Sequence, residues 1–178
     1  MHRFKRDRCL QKLKPTSYQL AADVCKGSSD RLQRYISQYF TDVFSAAEKE
    51  INEEGTPLED MTEFLTAHDL IKELDRNVPA VLLNVIPQLE QELKVENIQL
   101  RSLAIRTLGA MFAEHSGTLD HLARRYPATW KSWLGRSIDK NAAVRVLVLE
   151  ALADIWAAHG ELAKDIQGIS SMNIVSHD

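Results

Sequence analysis

The sequence has 178 residues, of which 44% are hydrophobic and 26% are charged, and its formal net charge is −3. This length can bury a sizeable core, and the composition is typical of a globular protein rather than a disordered, fibrous or disulfide-rich one. No apolar run approaches the roughly 20 residues that span a bilayer, and the basic N-terminus lacks the apolar stretch of a signal peptide. We therefore expect an intracellular, soluble protein with no membrane segment.

The first predicted helices carry most of the tyrosines. One helix is expected from about Pro15 to Cys25 and a longer one from about Asp30 to Lys49. Apolar residues recur along the longer helix at the i, i+3, i+4, i+7 spacing of an amphipathic helix. They are Leu32, Tyr35, Ile36, Tyr39, Phe40, Val43, Phe44 and Ala47. We expect this stripe to be buried against neighbouring helices, and a peptide-binding aromatic groove is the alternative.

An acidic segment follows the second helix. Residues 48–60 contain Gly55 and Pro57 among acidic side chains, which predicts a mobile loop. A third helix is expected from about Leu58 to Arg76. It should end there because Val78 precedes a proline, and residues before proline are disfavoured in helical angles.

Residues 79–115 are predicted to form a helical hairpin. Its first helix should start at Pro79, since proline is favoured in a first helical turn. Pro87 then falls inside this helix and is expected to kink it. The second helix of the hairpin carries Gly109, which should allow a neighbouring helix to approach closely.

Residues 127–159 predict a second hairpin of the same kind. A short helix over residues 119–125 precedes it, and Pro127 opens its first helix. Residues 139–141 then form a turn and a helix cap. The second helix is expected to end at His159, before a glycine.

The two hairpins match along their second helices at an offset of 44 residues. Apolar positions pair with apolar positions, and Arg101 pairs with Arg145. A period of about 40–47 residues with two helices per unit is typical of HEAT repeats. Glu96 and Asp139 precede the two arginines, and such acids can neutralise an arginine within or between repeats. We therefore predict a structural ladder of these four residues.

The pattern predicts an all-α fold, a HEAT-repeat solenoid of antiparallel helix pairs over residues 13–166. Residues 1–12 are interpreted as a basic N-terminal extension, and residues 167–178 as an irregular, loosely held tail. Each hairpin of a solenoid has an apolar face that only a neighbour covers. The chain should therefore cap its ends or be a fragment of a longer solenoid.

Basic side chains outnumber acids six to one between residues 121 and 145. Charge blocks of this kind steer binding partners, although solvated helix faces are the simpler explanation. The candidate partner-contact face consists of Arg124, Arg125, Lys131, Arg136 and Lys140. Tyr126, Trp130 and Trp133 lie in the same run and could stack on nucleic-acid bases. The net acidity of the chain argues against a dedicated nucleic-acid-binding protein.

No motif in the sequence predicts catalysis, a cofactor or a metal site. Cys9 and Cys25 form neither a disulfide framework nor a metal-ligand pair. His68 and Asp69 are adjacent on a helix and do not face each other, so His68 is interpreted as a core histidine. Three further histidines are not at metal-ligand spacing: His115, His121 and His159. We expect a protein that is not an enzyme and that needs no cofactor.

Four segments together resemble one known family, and the resemblance extends over about residues 12–166. They are HDLIKELDRNVPAVLLNVIPQLEQELK, RTLGAMF, YPATWKSWLGRSIDKNAAVR and HGELAKDI. The most specific parts are LLNVIPQLEQELK and the paired WLGR and VR elements. The family is that of the precocious-dissociation-of-sisters proteins, large HEAT-repeat regulators of the cohesin complex.

This resemblance implies a role in sister chromatid cohesion. Members of the family bind cohesin through its kleisin subunit, work with the cohesin release factor Wapl and support the acetyltransferase that stabilises cohesion. They are nuclear, chromosome-bound and non-enzymatic, and much longer than this sequence, which would then belong to the N-terminal part of a solenoid. The alternative is a generic helical-repeat adaptor whose basic face contacts nucleic acid.

Overall fold

The computed structural model describes residues 23–24, 26–54, 57–114 and 122–159. Within these ranges the chain forms helices and turns and no strand, so the all-α prediction is confirmed. None of the described helices is long and apolar enough to cross a membrane. The N-terminal extension, nearly all of the first predicted helix and the C-terminal tail lie outside the described residues.

The α-helices follow one another in antiparallel pairs joined by short connections. They are α1 (Ser29–Lys49), α2 (Thr62–Asn77), α3 (Ile86–Glu92), α4 (Ile98–Ala113), α5 (Leu122–Arg125), α6 (Pro127–Leu134) and α7 (Ala142–Ala158). Short 3₁₀ turns complete the hairpins at Leu58–Asp60, Pro79–Leu82 and Gly135–Ile138.

The predicted stripe of α1 is buried at its phenylalanines but not at its tyrosines. Phe40 and Phe44 are 0% and 9% exposed, whereas Tyr35 and Tyr39 are 73% and 39% exposed. At 100° per residue, Tyr35 points about 140° away from Phe40. The neighbouring elements, α2 and the turn at Pro79–Leu82, cover only the arc around the two phenylalanines. The expectation that the whole stripe is buried was therefore wrong.

The predicted mobile loop does not begin at residue 48. The chain continues from α1 as a π-helical turn over Glu50–Glu54, and Ile51 within it is only 7% exposed. A buried apolar side chain holds this acidic segment against the core, so the loop prediction was wrong over residues 48–54. The next helix, α2, starts four residues later than predicted, after a separate 3₁₀ turn.

The sequence predicted that Pro87 kinks a long helix, and this prediction was wrong. The turn at Pro79–Leu82 ends before α3 begins at Ile86, so Pro87 lies in the first turn of a new helix. At that position the missing N–H has no helical partner to lose, and the fixed φ angle of proline suits the helix. The first half of this hairpin is therefore two short helical segments.

The packed core of the described residues lies between the second helices of the two hairpins. These helices, α4 and α7, make the most extensive contact of the fold. Leu108, Val148 and Ile155 are completely buried between them. Trp133 of α6 is also completely buried, and its Nε1–H donates a hydrogen bond of 3.0 Å to the carbonyl of Ile105. Each hairpin thus covers the apolar face of its neighbour, as in a repeat protein.

Gly109 lies where α4 and α7 come closest. A Cβ atom at this position would lie 2.8 Å from the Cβ of Ala151 and 3.3 Å from Cζ2 of Trp133. The alanine methyl cannot swing away, so any side chain at Gly109 must push the two helices apart. This confirms the close approach expected from the sequence.

We expect Gly109→Ala to destabilise the protein. Overpacking lowers the free energy of unfolding by about 1–3 kcal/mol. The higher helix propensity of alanine raises it by at most about 1 kcal/mol. Gly135→Ala is the control, because nothing lies within 4 Å of the Cβ position there. Urea unfolding of the two variants measures the difference, and equal stability would show that the close approach is dispensable.

Candidate functional site

The two second helices start with the same local structure. The side chain of Asn97 caps α4, and that of Asn141 caps α7, each accepting two backbone N–H bonds. Nη1 of Arg101 donates to the carbonyls of the residues six and five positions earlier, at 2.5 Å and 3.1 Å. Nη1 of Arg145 does the same at 2.8 Å and 3.5 Å. The 44-residue offset therefore relates matching caps and matching arginine contacts.

Arg101 and Asp139 join the two repeats through a buried ion pair. Nε and Nη2 of Arg101 lie 3.0 Å and 3.2 Å from the two carboxylate oxygens of Asp139. Both side chains are only 2% exposed. Asp139 also accepts bonds from Arg136, at 3.2 Å, and from the backbone N–H of Asn141, at 2.9 Å. We name these two charged residues, Arg101 and Asp139, the inter-repeat pair.

The electrostatics of the inter-repeat pair keep Asp139 ionised. Burial raises the pKa of this carboxyl, but the N–H of Asn141 and the charge and hydrogen bond of Arg101 lower it more. The net pKa of Asp139 therefore lies below its usual value. Asp139 is therefore ionised at neutral pH. Its ion pair with Arg101 connects the start of α7 to the start of α4.

The other two predicted ladder residues behave differently. Glu96 pairs with Lys140 on the surface, where the two side chains are 86% and 69% exposed. Lys140 stands at the position equivalent to Glu96 in the next repeat, so equivalent positions of opposite charge meet. Among the described residues, Arg145 contacts backbone carbonyls and no carboxylate.

The candidate basic face is divided by the fold. Arg136 and Lys140 lie at the junction, where they are paired with Asp139 and Glu96. Arg124, Arg125 and Lys131 are exposed, and the guanidinium of Arg125 lies 5.6 Å from the ring centre of Tyr126.

The two tryptophans of the basic run belong to the core. Trp130 and Trp133 are 6% and 0% exposed and stack on each other with ring centroids 5.6 Å apart. Phe112 of α4 packs edge-on against both rings. Buried rings are not available to nucleic-acid bases, so base stacking by these tryptophans is excluded.

A buried polar cluster under α1 holds the second set of titratable groups. Nδ1 of His68 lies 2.9 Å from the hydroxyl of Thr107, and its Nε2 lies 3.4 Å from a carboxylate oxygen of Glu92. The imidazole is 1% exposed and lies between the rings of Phe44 and Phe64, at 5.4 Å and 4.6 Å. His68 is a core histidine, as interpreted from the sequence.

Burial sets the protonation states of this cluster. Desolvation and the charge of Lys72 lower the pKa of His68 to about 3. Desolvation and the charge of Glu48 raise the pKa of Glu92 to about 8. At neutral pH Glu92 is therefore protonated and His68 is neutral, so their 3.4 Å contact joins two uncharged groups. His68 is enclosed in the core, whereas Glu92 also borders the groove between α1 and α3.

A groove between α1 and α3 opens beside this cluster. Its volume is about 200 Å³, and Phe44, Val95 and Leu100 supply its apolar lining. Phe44 is the residue of the predicted α1 stripe that lines this groove, and the aromatic peptide-binding groove stays a prediction.

The other predicted site residues fall at the edges of the described structure. His159 directly follows α7, and its Nε2 lies 3.2 Å from the carbonyl of Glu114. His115, His121, Cys9 and Cys25 lie outside the described residues. No group of three or more potential metal ligands comes together in the described part of the chain.

The chain is similar to sister chromatid cohesion proteins. The family model for the sister chromatid cohesion protein PDS5 matches residues 3–178. The cohesion protein pds5 of Schizosaccharomyces pombe is 35% identical over 138 residues, which cover 78% of this chain and 11% of the relative. The human PDS5 homolog B is 28% identical over 166 residues, which cover 93% of this chain and 10% of the relative. The chain thus spans about a tenth of the length of these relatives.

The fold is shared with a solved structure of a Pds5-Scc1 complex. One chain of that structure superposes with a TM-score of 0.76 at 21% identity, covering 90% of this chain and 23% of its own length. The likeness confirms the helical HEAT-repeat solenoid. The family match over residues 3–178 and the 35% identity to the fission yeast relative show that the chain belongs to the PDS5 family of sister chromatid cohesion proteins.

Proposed function

We propose that this chain is part of a non-enzymatic scaffold that binds the kleisin subunit of cohesin and controls sister chromatid cohesion and cohesin release. The observation that carries the proposal is the family match over nearly the whole chain. The structural neighbour is a Pds5 protein in complex with Scc1, which supports a partner of this kind. The fold agrees with such a role, because stacked helical hairpins form extended surfaces that hold partners.

The same proposal extends to further partners and to the place of action. A cohesin regulator of this family would work with the release factor Wapl and with the cohesion acetyltransferase. It would act in the nucleus on chromosomes. It would bind chromatin indirectly, through cohesin, rather than by contacting DNA itself. The relatives are named for sister chromatid cohesion and not for an enzymatic reaction, which supports a scaffold.

The exposed basic side chains give this proposal a residue-level test. We expect Arg125→Glu/Lys131→Glu to weaken capture of the kleisin by the full-length protein, because charge reversal on a contact face turns attraction into repulsion. The matched control is Arg31→Glu/Arg34→Glu, which makes the same charge change at exposed positions of α1.

A pull-down with purified kleisin at several salt concentrations is the measurement. Loss of binding in the α5–α6 variant alone would support the basic face as the contact. Equal binding by both variants would remove this face from the proposal. No capture by the unchanged full-length protein would overturn the proposed function itself.

A further inference from the structure

The groove between α1 and α3 is lined by one side of each helix. On α1 the lining residues recur at the i, i+3, i+4, i+7 spacing that places side chains on one side of a helix. They are Thr41, Phe44, Ser45 and Glu48. Gln88, Gln91 and Glu92 line the groove from α3, and Val95 and Leu100 complete the lining.

A hydrogen-bonded bridge and a pair of acids lie at different points along the groove. Nε2 of Gln88 donates to the carbonyl and hydroxyl oxygens of Ser37, at 3.4 Å and 3.1 Å, and so connects α3 to α1. Glu48 lies three helical turns farther along α1, about 16 Å from Ser37. Its charge acts on Glu92 of α3. The groove therefore runs from a fixed contact between the helices toward two carboxyl groups.

The charge of the groove favours a basic occupant. Glu48 and Glu92 line it, and no lysine, arginine or histidine of the described residues does. Glu92 is 8% exposed, and its Oε2 makes no hydrogen bond within the described part of the chain. Buried carboxyl groups are normally hydrogen-bonded or paired with a cation. A cation bound in the groove would provide such a partner.

The pKa values around Glu92 agree with this requirement. Burial and the charge of Glu48 raise the pKa of Glu92 to about 8. The neighbouring imidazole does not offset them, because burial and the charge of Lys72 lower the pKa of His68 to about 3. A cation beside Glu92 would favour the ionised carboxyl. Binding of a cation would therefore release a proton.

The shape and apolar lining of the groove suit one long side chain. Its volume of about 200 Å³ is below the roughly 300–1,000 Å³ of typical small-molecule sites. Arginine and lysine bury their methylene stems on apolar surface while the charged group stays at a polar edge. A guanidinium also stacks on aromatic rings and pairs with a carboxylate through two N–H groups. Phe44 and Glu48 offer both contacts.

We propose that the groove between α1 and α3 binds an arginine side chain of a partner peptide. The stem of the arginine lies on Phe44, Val95 and Leu100, and its guanidinium pairs with the carboxyl groups of Glu48 and Glu92. This binding is independent of the proposed kleisin contact, since the exposed basic side chains tested there belong to α5 and α6.

Fluorescence anisotropy with a labelled peptide tests this proposal. The probe is a short peptide with one arginine between two leucines, titrated with the 178-residue chain at pH 8. The control peptide contains citrulline, which has the shape of arginine without its charge. We expect the citrulline peptide to bind at least about tenfold more weakly, because charge-assisted hydrogen bonds are lost. Equal binding of the two peptides, or binding of neither, would overturn the proposal.

Substitutions on α1 locate the binding. Ser45→Tyr introduces a ring into the groove from an exposed position and should weaken binding at least about tenfold by steric exclusion. Ala46→Tyr is the matched control, since this exposed residue points about 100° away on the same helix. Unchanged affinity in Ser45→Tyr would overturn the site. Affinity that falls as the protein concentration rises would show that a second copy occupies the groove and would overturn the proposed occupant.

The pH dependence of binding identifies the role of Glu92. Affinity for the arginine peptide should increase by up to about tenfold from pH 6.5 to 8, because the carboxyl releases its proton more readily. The charged and titratable groups that act on this site are Glu48 of α1 and His68 and Lys72 of α2, and His68 stays neutral across the interval. Glu92→Gln should make affinity independent of pH. A flat profile in the unchanged protein would overturn the pairing with Glu92.

Discussion

Asp139→Asn is expected to lower the free energy of unfolding by about 3–5 kcal/mol, the usual cost of breaking a buried ion pair by removing one partner. The substitution leaves the guanidinium of Arg101 at 2% exposure without its countercharge. Arg101 keeps its bonds to two backbone carbonyls, but neutral acceptors compensate only part of the desolvation of the charge. Arg136 loses its carboxylate partner as well.

Chemical unfolding of matched variants separates this buried effect from surface electrostatics. Lys140→Gln removes an exposed ion pair from the same junction, and such pairs contribute about 0–1 kcal/mol. Arg101→Met/Asp139→Leu removes both buried charges and should recover most of the lost stability, because only Arg136, whose side chain is 31% exposed, is then left without its carboxylate partner. A loss below about 1 kcal/mol in Asp139→Asn would show that the pair does not hold the repeats together.

The periodicity of the sequence made this junction largely predictable. The 44-residue offset pointed to Arg101 and Arg145 as equivalent residues and to Asp139 as a partner for an arginine. It could not decide which arginine pairs with Asp139, because the acid could neutralise Arg145 of its own repeat or Arg101 of the preceding repeat. That choice depends on how α6 packs against the first hairpin, which carries Asp139 back toward the start of α4.

Other features depend on tertiary contacts that local patterns do not contain. The sequence placed Pro87 inside a helix because apolar residues continue on both sides of it, but α3 starts at Ile86 and so accommodates the proline. The tyrosines of α1 fit the helical spacing, yet no element of the described part of the chain covers that side of the helix.

Glu92 was missed altogether. Glu92 lies in a mostly polar stretch of sequence, which predicts a solvent-exposed side chain. In the structure it is only 8% exposed. One signal was present: Glu92 lies three residues after the buried Leu89 and therefore on the same side of α3. An acid on an apolar stripe is a sign of a buried polar network, and here that network includes His68.

Burial of Glu92 should make stability fall as pH rises above neutrality. A carboxyl with its pKa raised to about 8 keeps its proton in the folded state while the unfolded chain releases it above about pH 4.5. The free energy of unfolding then decreases by up to about 1.4 kcal/mol per pH unit, until the folded carboxyl also ionises near pH 8.

His68 has the opposite dependence at lower pH. With its pKa lowered to about 3, the folded imidazole stays neutral while the unfolded one takes up a proton below about pH 6.5. Its contribution to stability therefore rises with pH between about 3 and 6.5. Between pH 4.5 and 6.5 the two groups largely cancel, and from pH 6.5 to 8 the effect of Glu92 dominates. The expected net loss of stability across that last interval is about 1–1.5 kcal/mol.

Glu92→Gln should abolish this loss, since glutamine fills the same space, can donate an N–H to Nε2 of His68 and does not ionise. Urea unfolding at pH 6.5, 7.25 and 8.0 gives the slope for each variant. Asp75→Asn is the control: burial and the charge of Glu114 raise the pKa of Asp75 only to about 6, so its effect is complete below the measured interval. If Glu92→Gln keeps the slope of the unchanged protein, then Glu92 is already ionised at pH 6.5, and its contact with His68 does not join two neutral groups.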